Sequence, residues 1–201
     1  MIPNFHDYIF MIRGEEMSNN IHTISFNERK IMKQTVILTI ILSILFVSIN
    51  YILHPEFTFN VIRFLLGILI FIGVSFLLVV INEILNLLGY KYRCKVPRET
   101  LSLAIHLEKG LIYTTTTEKI RNGHYQSVFL TSFMIAGIIP LAFAFAFGSY
   151  PLLLASASFI AGGLANFKGL LKLRKFPDNA LIKDLPEQFT VHVYLDEKKE
   201  S

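Results

Sequence analysis

Hydrophobic positions along this chain gather into four long runs, at 36–53, 61–90, 128–147 and 152–171, separated by short polar stretches. A run of ~18 or more apolar residues is long enough to cross ~30 Å of hydrocarbon, so each predicts a membrane-spanning helix. Between the second and third runs the period changes. Leu101, Leu103, Ile105 and Leu107 alternate with Ser102, Ala104, His106 and Glu108, the period of two of a half-buried strand. Lys109 and Gly110 supply a turn and 111–117 is rich in β-branched residues, so a hairpin is predicted at about 100–117. His106 falls on its polar face, where a solvated histidine is expected rather than a ligand. Near the end, Phe189, Val191, Val193 and Leu195 alternate with Thr190, His192 and Tyr194, predicting a closing strand at 189–195 that pairs with the hairpin.

Two spans carry further signals. Gly137 and Pro140 sit inside the third, and a proline there removes a backbone bond, predicting a kink near Ile139. In the fourth, Ala157, Ala161 and Ala165 recur every four residues, as do Ser158 and Gly162, so that another helix can approach closely. Asn166 continues the Ser158 and Gly162 row. The expected fold is mainly α: an integral membrane bundle of about four transmembrane helices with a small cytoplasmic β element. Its expected divisions are an N-terminal segment 1–35, a membrane domain 36–195 and a solvated tail 196–201.

Composition agrees, with 53% hydrophobic residues and no Trp among 201. The net charge of +4 matters through its placement. Arg29, Lys30 and Lys33 precede the first span, and seven Lys or Arg lie in each of 91–121 and 168–199, whereas 54–60 has none. Basic residues collect on the cytoplasmic side, which predicts a multi-pass protein of the cell membrane with both termini cytoplasmic. The pattern is a topology signal and not a nucleic-acid footprint. The single Cys94 excludes an internal disulfide. Residues 1–17 lack the basic start, apolar core and cleavage site of a signal peptide. Arg13 to Met17 is what a ribosome-binding site and start codon would spell if translated, so Met17 is the expected natural start and 1–16 are expected not to be native.

The chemistry lies in the second span, which carries Asn82, Glu83 and Asn86 near its inner end. Polar and ionisable groups are costly in a membrane and normally face a protein interior or a water-filled cavity. Asn82 and Asn86, four apart, emerge from one helix face. Counted from the outer surface, Asn82 lies roughly 27 Å deep and Asn166 roughly 22 Å, level to within about a turn. On these residues alone, interhelical amide hydrogen bonding and a ligand site both remain open.

The stretch Val79, Val80, Ile81, Asn82, Glu83, Ile84, Leu85, Asn86 resembles the zincin peptidase family of small bacterial membrane proteins, where an apolar helix ends in H-E-x-x-H. Ile138, Ile139 and Pro140, the stretch from Gly162 to Asn166, and the ending from Ala180 to Tyr194 with Lys183, Asp184, Leu185 and Pro186 are similar too. The resemblance implies an arrangement like that of site-2-type intramembrane metalloproteases. There, two histidines and a distant carboxylate hold zinc while the intervening Glu acts as general base. In this chain Asn82, Asn86 and Asn166 stand at the ligand positions, and only the base position, Glu83, is kept. Amide oxygens suit calcium or magnesium better than zinc. Each replacement is one nucleotide from the ligand, which fits both natural drift and deliberate removal.

The resulting expectation is a non-catalytic member, without a cofactor as written, that would take zinc if the positions were restored to His, His and Asp. Its expected partners are the lipid bilayer and a membrane protein or peptide segment, added as a strand to the hairpin. Two alternatives stand beside it. One is an active zinc metallopeptidase using other ligands, such as His106, His124 or Asp184 with Glu83. The other is a small transporter, although the chain lacks an internal repeat and paired broken helices.

Overall fold

The computed structural model describes residues 21–55, 60–106, 111–185 and 190–195, with backbone alone at 105, 106 and 111. The expectations for 1–17, for the 196–201 tail and for the His106 side chain lie outside the described residues. The chain opens with strand β1, Ile21–Ser25, and enters helix α1, Glu28–Leu53. Asn27 caps α1, its side chain accepting from the Lys30 amide at 3.0 Å, and Glu28 complements the positive helix end. Asn60 does the same for α2, Val61–Tyr92, by accepting from the Arg63 amide at 3.1 Å.

Both helices expose large apolar side chains over most of their length, among them Ile40, Ile44, Leu69 and Phe76. Such an uninterrupted surface is unfavourable in water and natural in lipid. Among the described residues three helices are long and apolar enough to cross a membrane, or four if one bent pair is a single span.

After α2 a short 3₁₀ turn leads into the antiparallel hairpin of β2, Leu101–His106, and β3, Leu111–Thr116, with Leu103 opposite Thr114. A two-residue strand β4, Ile120–Arg121, precedes α3, Asn122–Phe133. The next turn, Met134–Ile138, is π-helical, and α4 follows at Ile139–Ala146. The irregularity expected near Ile139 is thus a π turn just before Pro140. The Ile139 amide reaches back to the Met134 carbonyl, which accommodates the register change beside a residue that has no N–H to give. Gly137 lies in this turn, where a Cβ would stand 3.1 Å from the Phe159 ring.

The fourth apolar run differs from the single helix expected over 152–171. It forms α5, Tyr150–Gly162, and α6, Leu164–Leu173, bent by 41°. Consecutive glycines explain the break, since glycine is the weakest non-proline helix former. At Gly163 a Cβ would also come within 3.0 Å of the Phe133 ring. Helix α5 packs against both α1 and α2, and Ala155, Ala157 and Ala161 are fully buried there, so small side chains do line a close helix contact.

The ending corrects one expectation. Strands β5, Leu181–Leu185, and β6, Thr190–Tyr194, form a four-stranded antiparallel sheet in the order β1-β6-β5-β4. The closing strand therefore pairs with β1 and β5 and not with the β2–β3 hairpin. Burial decides it: Ile24, Ile182, Val191 and Val193 share one core with Leu170, Leu173 and Ala180 at the foot of the bundle. That core also draws β1 from within the segment expected to be an N-terminal extension.

Candidate functional site

Asn82 and Glu83 are buried, with 8% and 9% of their surfaces exposed, although they sit on a helix that otherwise presents apolar residues. Hydrogen bonds account for this. Asn82 Nδ2 donates to Glu83 Oε1 at 2.9 Å, and Asn86 Nδ2 lies 3.5 Å from both carboxylate oxygens. The shortest contact to the carboxylate comes from the hairpin: the Thr114 amide donates to Glu83 Oε2 at 2.7 Å, while Thr114 Oγ1 donates to the Glu83 carbonyl at 3.0 Å. Every one of these partners of the carboxylate is an N–H donor, the set that a carboxylate accepts.

Thr114 lies opposite Leu103 in the hairpin, and its amide points away from β2 toward α2. Glu83 thus takes one backbone group of the outer edge of β3, the edge that has no strand beside it among the described residues. Asn86 is held from the other side, its Oδ1 accepting from Ser132 Oγ of α3 at 2.6 Å. The Asn82 Oδ1 is buried without a hydrogen-bond partner among the described residues.

These groups line a cavity of about 400 Å³ reached by α2, β3, α3, α5, α6, β5 and β6. Its walls include Asn82, Glu83, Asn86 and Thr114, and across from them Ser158, Gly162 and Asn166. The chain therefore brings Asn166, on the helix after the glycine break, into one space with the α2 cluster. Asn166 itself is exposed and no hydrogen bond ties it to that cluster.

A second carboxylate shares the space. Asp184 of β5 accepts a 2.6 Å hydrogen bond from the Tyr125 hydroxyl, and Tyr125 stacks on Tyr90 with ring centres 6.4 Å apart. Burial pushes the Asp184 carboxyl up to about 6; the Tyr125 and Leu185 hydrogen bonds pull it back, and the nearby Glu83 adds to the rise. Of the residues considered as substitute ligands, Asp184 lines the cavity, whereas His124 does not.

Thr114, Ser132 and Tyr125 did not stand out in the sequence. Ser132 had a signal, a hydroxyl inside an apolar span. Thr114 had none, because it acts through its backbone amide, which every residue but proline carries.

A family described as "Putative zincin peptidase" matches residues 75–181, more than half of the chain and a range that holds Asn82, Glu83, Asn86, Pro140 and Asn166. The chain belongs to this family. No curated protein and no solved structure matches it.

Membership of the zincin family implies zinc, and the side chains present can be tested against that ion. Zinc takes imidazole nitrogen, thiolate or carboxylate. Here Asn82 and Asn86 turn N–H groups toward Glu83, because an amide oxygen facing a carboxylate would be repelled, and the Asn86 oxygen is already engaged by Ser132. Among the described residues no three His, Cys, Asp or Glu side chains gather as a metal site. The donor set does not fit zinc.

Proposed function

We propose that this zincin-family chain is a multi-pass protein of the cell membrane that does not hydrolyse peptides, and that its cavity holds an extended peptide or membrane-protein segment against β3. One observation carries the reading. The Glu83 carboxylate and the Asn86 amide are tied to the Asn82 N–H, to each other, to Ser132 and to the Thr114 amide. The carboxylate at the general-base position is held by N–H donors of amides that do not suit zinc, so it has no metal-activated water to deprotonate.

Binding is supported by the space itself. A cavity of about 400 Å³ falls in the ~300–1,000 Å³ range of small-ligand sites, and one wall is the outer edge of a two-stranded ribbon. An extended segment adds readily to such an edge through backbone hydrogen bonds. In this reading Asn82, Asn86 and Asn166 occupy the positions at which catalytic relatives hold the metal, and the strand-bearing end of the bundle faces the cytoplasm.

The test is zinc content per chain, by elemental mass spectrometry on protein purified in detergent, beside a variant carrying Asn82→His, Asn86→His and Asn166→Asp. The expected result is near one zinc in the variant and none above background in the chain as it stands. Stoichiometric zinc in the unaltered chain would overturn the non-hydrolytic reading and restore an active metallopeptidase built on other ligands.

A further inference from the structure

The charge balance of the cavity is one-sided. Two carboxylates, Glu83 and Asp184, line it, and among the described residues no Lys, Arg or His does, in a chain of net charge +4. Glu83 is met by neutral amide donors and Asp184 by a tyrosine hydroxyl. Those hydrogen bonds disperse negative charge and do not cancel it. A pair of like charges in a partly dehydrated space attracts a counter-charge far more strongly than the same pair in water would.

A second observation points to the same ligand. Asn82 is more than nine-tenths buried, its Oδ1 lacks a partner and the residue lines the cavity. Asn82 Nδ2 is fixed on Glu83, which leaves the oxygen as an acceptor waiting for an N–H. A buried acceptor left without a donor is costly, so a ligand that brings an N–H is favoured there.

The walls select among cations. A hard metal ion needs several free oxygens around one point, but the Glu83 oxygens and the Asn86 oxygen are occupied by N–H and O–H donors. Aromatic rings contribute to the lining, among them Tyr90, Tyr125, Phe129 and Phe159. Aromatic faces hold organic cations, which also bring N–H groups.

We propose that the cavity takes an organic cation of the alkylammonium or guanidinium class, seated between Glu83 and Asp184 with an N–H to Asn82 Oδ1. Resting on the peptide-binding reading above, the natural cation is a Lys or Arg side chain of the segment that lies along β3.

The test has two independent arms on the full chain in detergent at pH 7.5. In the first, Asn166→Cys is made in a Cys94→Ser background, and its reaction rates with 2-aminoethyl and 2-sulfonatoethyl methanethiosulfonate are each divided by the rate for a free thiol. The cationic reagent should be favoured by at least about ten-fold, equivalent to ~1.4 kcal/mol, and adding Asp184→Asn should remove most of that preference. Equal or reversed normalised rates would overturn the proposal. Asn166 is exposed, so the substitution leaves the buried cluster intact.

The second arm compares two capped pentapeptides, alanine except for a central Lys or norleucine, by microscale thermophoresis. Tighter binding of the Lys peptide supports both readings. Equal binding of the two peptides keeps the peptide reading and counts against the cation. Binding of neither peptide, beside a strong cationic preference in the first arm, removes the peptide reading alone and leaves the cation site standing.

Discussion

Asp184 shows how one side chain ties the small sheet to the helices. It sits on β5, accepts from Tyr125 of α3 at 2.6 Å, and faces a cavity that also holds Glu83 and Tyr90 of α2. Its carboxyl is raised from the usual 3.8 to about 6, first by burial and further by Glu83, against the opposing pull of the Tyr125 and Leu185 hydrogen bonds. The sign follows from linkage. A group that binds its proton more tightly in the folded state favours folding most where it is protonated in both states. Its contribution is therefore complete below about 3.8 and disappears as pH rises through about 6. Unfolding midpoints in detergent should thus rise as pH is lowered from 7 toward 5, by an amount that Asp184→Asn abolishes. A slope that survives this substitution would assign the effect to another group. Since a bound cation favours the ionised carboxylate, the aminoethyl preference at Asn166→Cys should weaken over the same interval. Little of this was visible beforehand: Lys183, Asp184, Leu185 and Pro186 carried a family resemblance, but burial of Asp184 depends on a strand pairing that the short stretch does not announce.

Among the elements, α2 and α3 pack against each other and both line the cavity. Gly89 lies three residues beyond Asn86, and a Cβ there would meet Val128 Cγ1 at 2.5 Å. Val128 is buried at 4% exposure, so it has little room to withdraw. Gly89→Ala should therefore cost ~1–3 kcal/mol by overpacking and lower the melting temperature in detergent. Gly73 on the same helix is the control, because nothing lies within 4 Å of its Cβ position. Gly73→Ala should be neutral or stabilising by ~0.5–1 kcal/mol through helix propensity, and equal losses at both positions would contradict the packing account. The elements divide by how strongly their patterns speak. Long apolar runs revealed the helices, and alternation at 101–108 and 189–195 revealed β2 and β6. Strands β1 and β5 stayed hidden, since Ile21–Ser25 and Leu181–Leu185 are five residues each and are fixed by neighbours distant in sequence. The break at Gly163 was missed for a related reason: a row of small residues reads as one helix whether or not it bends, and the ring of Phe133 that meets Gly163 comes from another span.

For the molecule as a whole, the two ends of the bundle are built differently, and this makes orientation testable. One end is joined by short connections, where His54 Nε2 is 2.8 Å from the Phe145 carbonyl and Gly148 makes its turn at φ 64°. The other end holds both sheets and most of the Lys and Arg residues. Positive charge is retained on the cytoplasmic side because moving it outward opposes the membrane potential and leaves the anionic inner surface. The sheet end should then be inside, and a segment entering the cavity must come from a cytoplasmic or juxtamembrane stretch of its partner. Pro55 and Glu99 are exposed at opposite ends, so Pro55→Cys and Glu99→Cys, each in a Cys94→Ser background, report the two faces. A membrane-impermeant maleimide added to intact cells should label Pro55→Cys alone, and Glu99→Cys should react only after permeabilisation. The reverse pattern would turn the cavity outward and require its cationic ligand to arrive from outside the cell. That exchange would leave the carboxylate pair and the Asn82 acceptor unchanged, because the chemistry of the cavity belongs to its walls while the source of the ligand belongs to the topology.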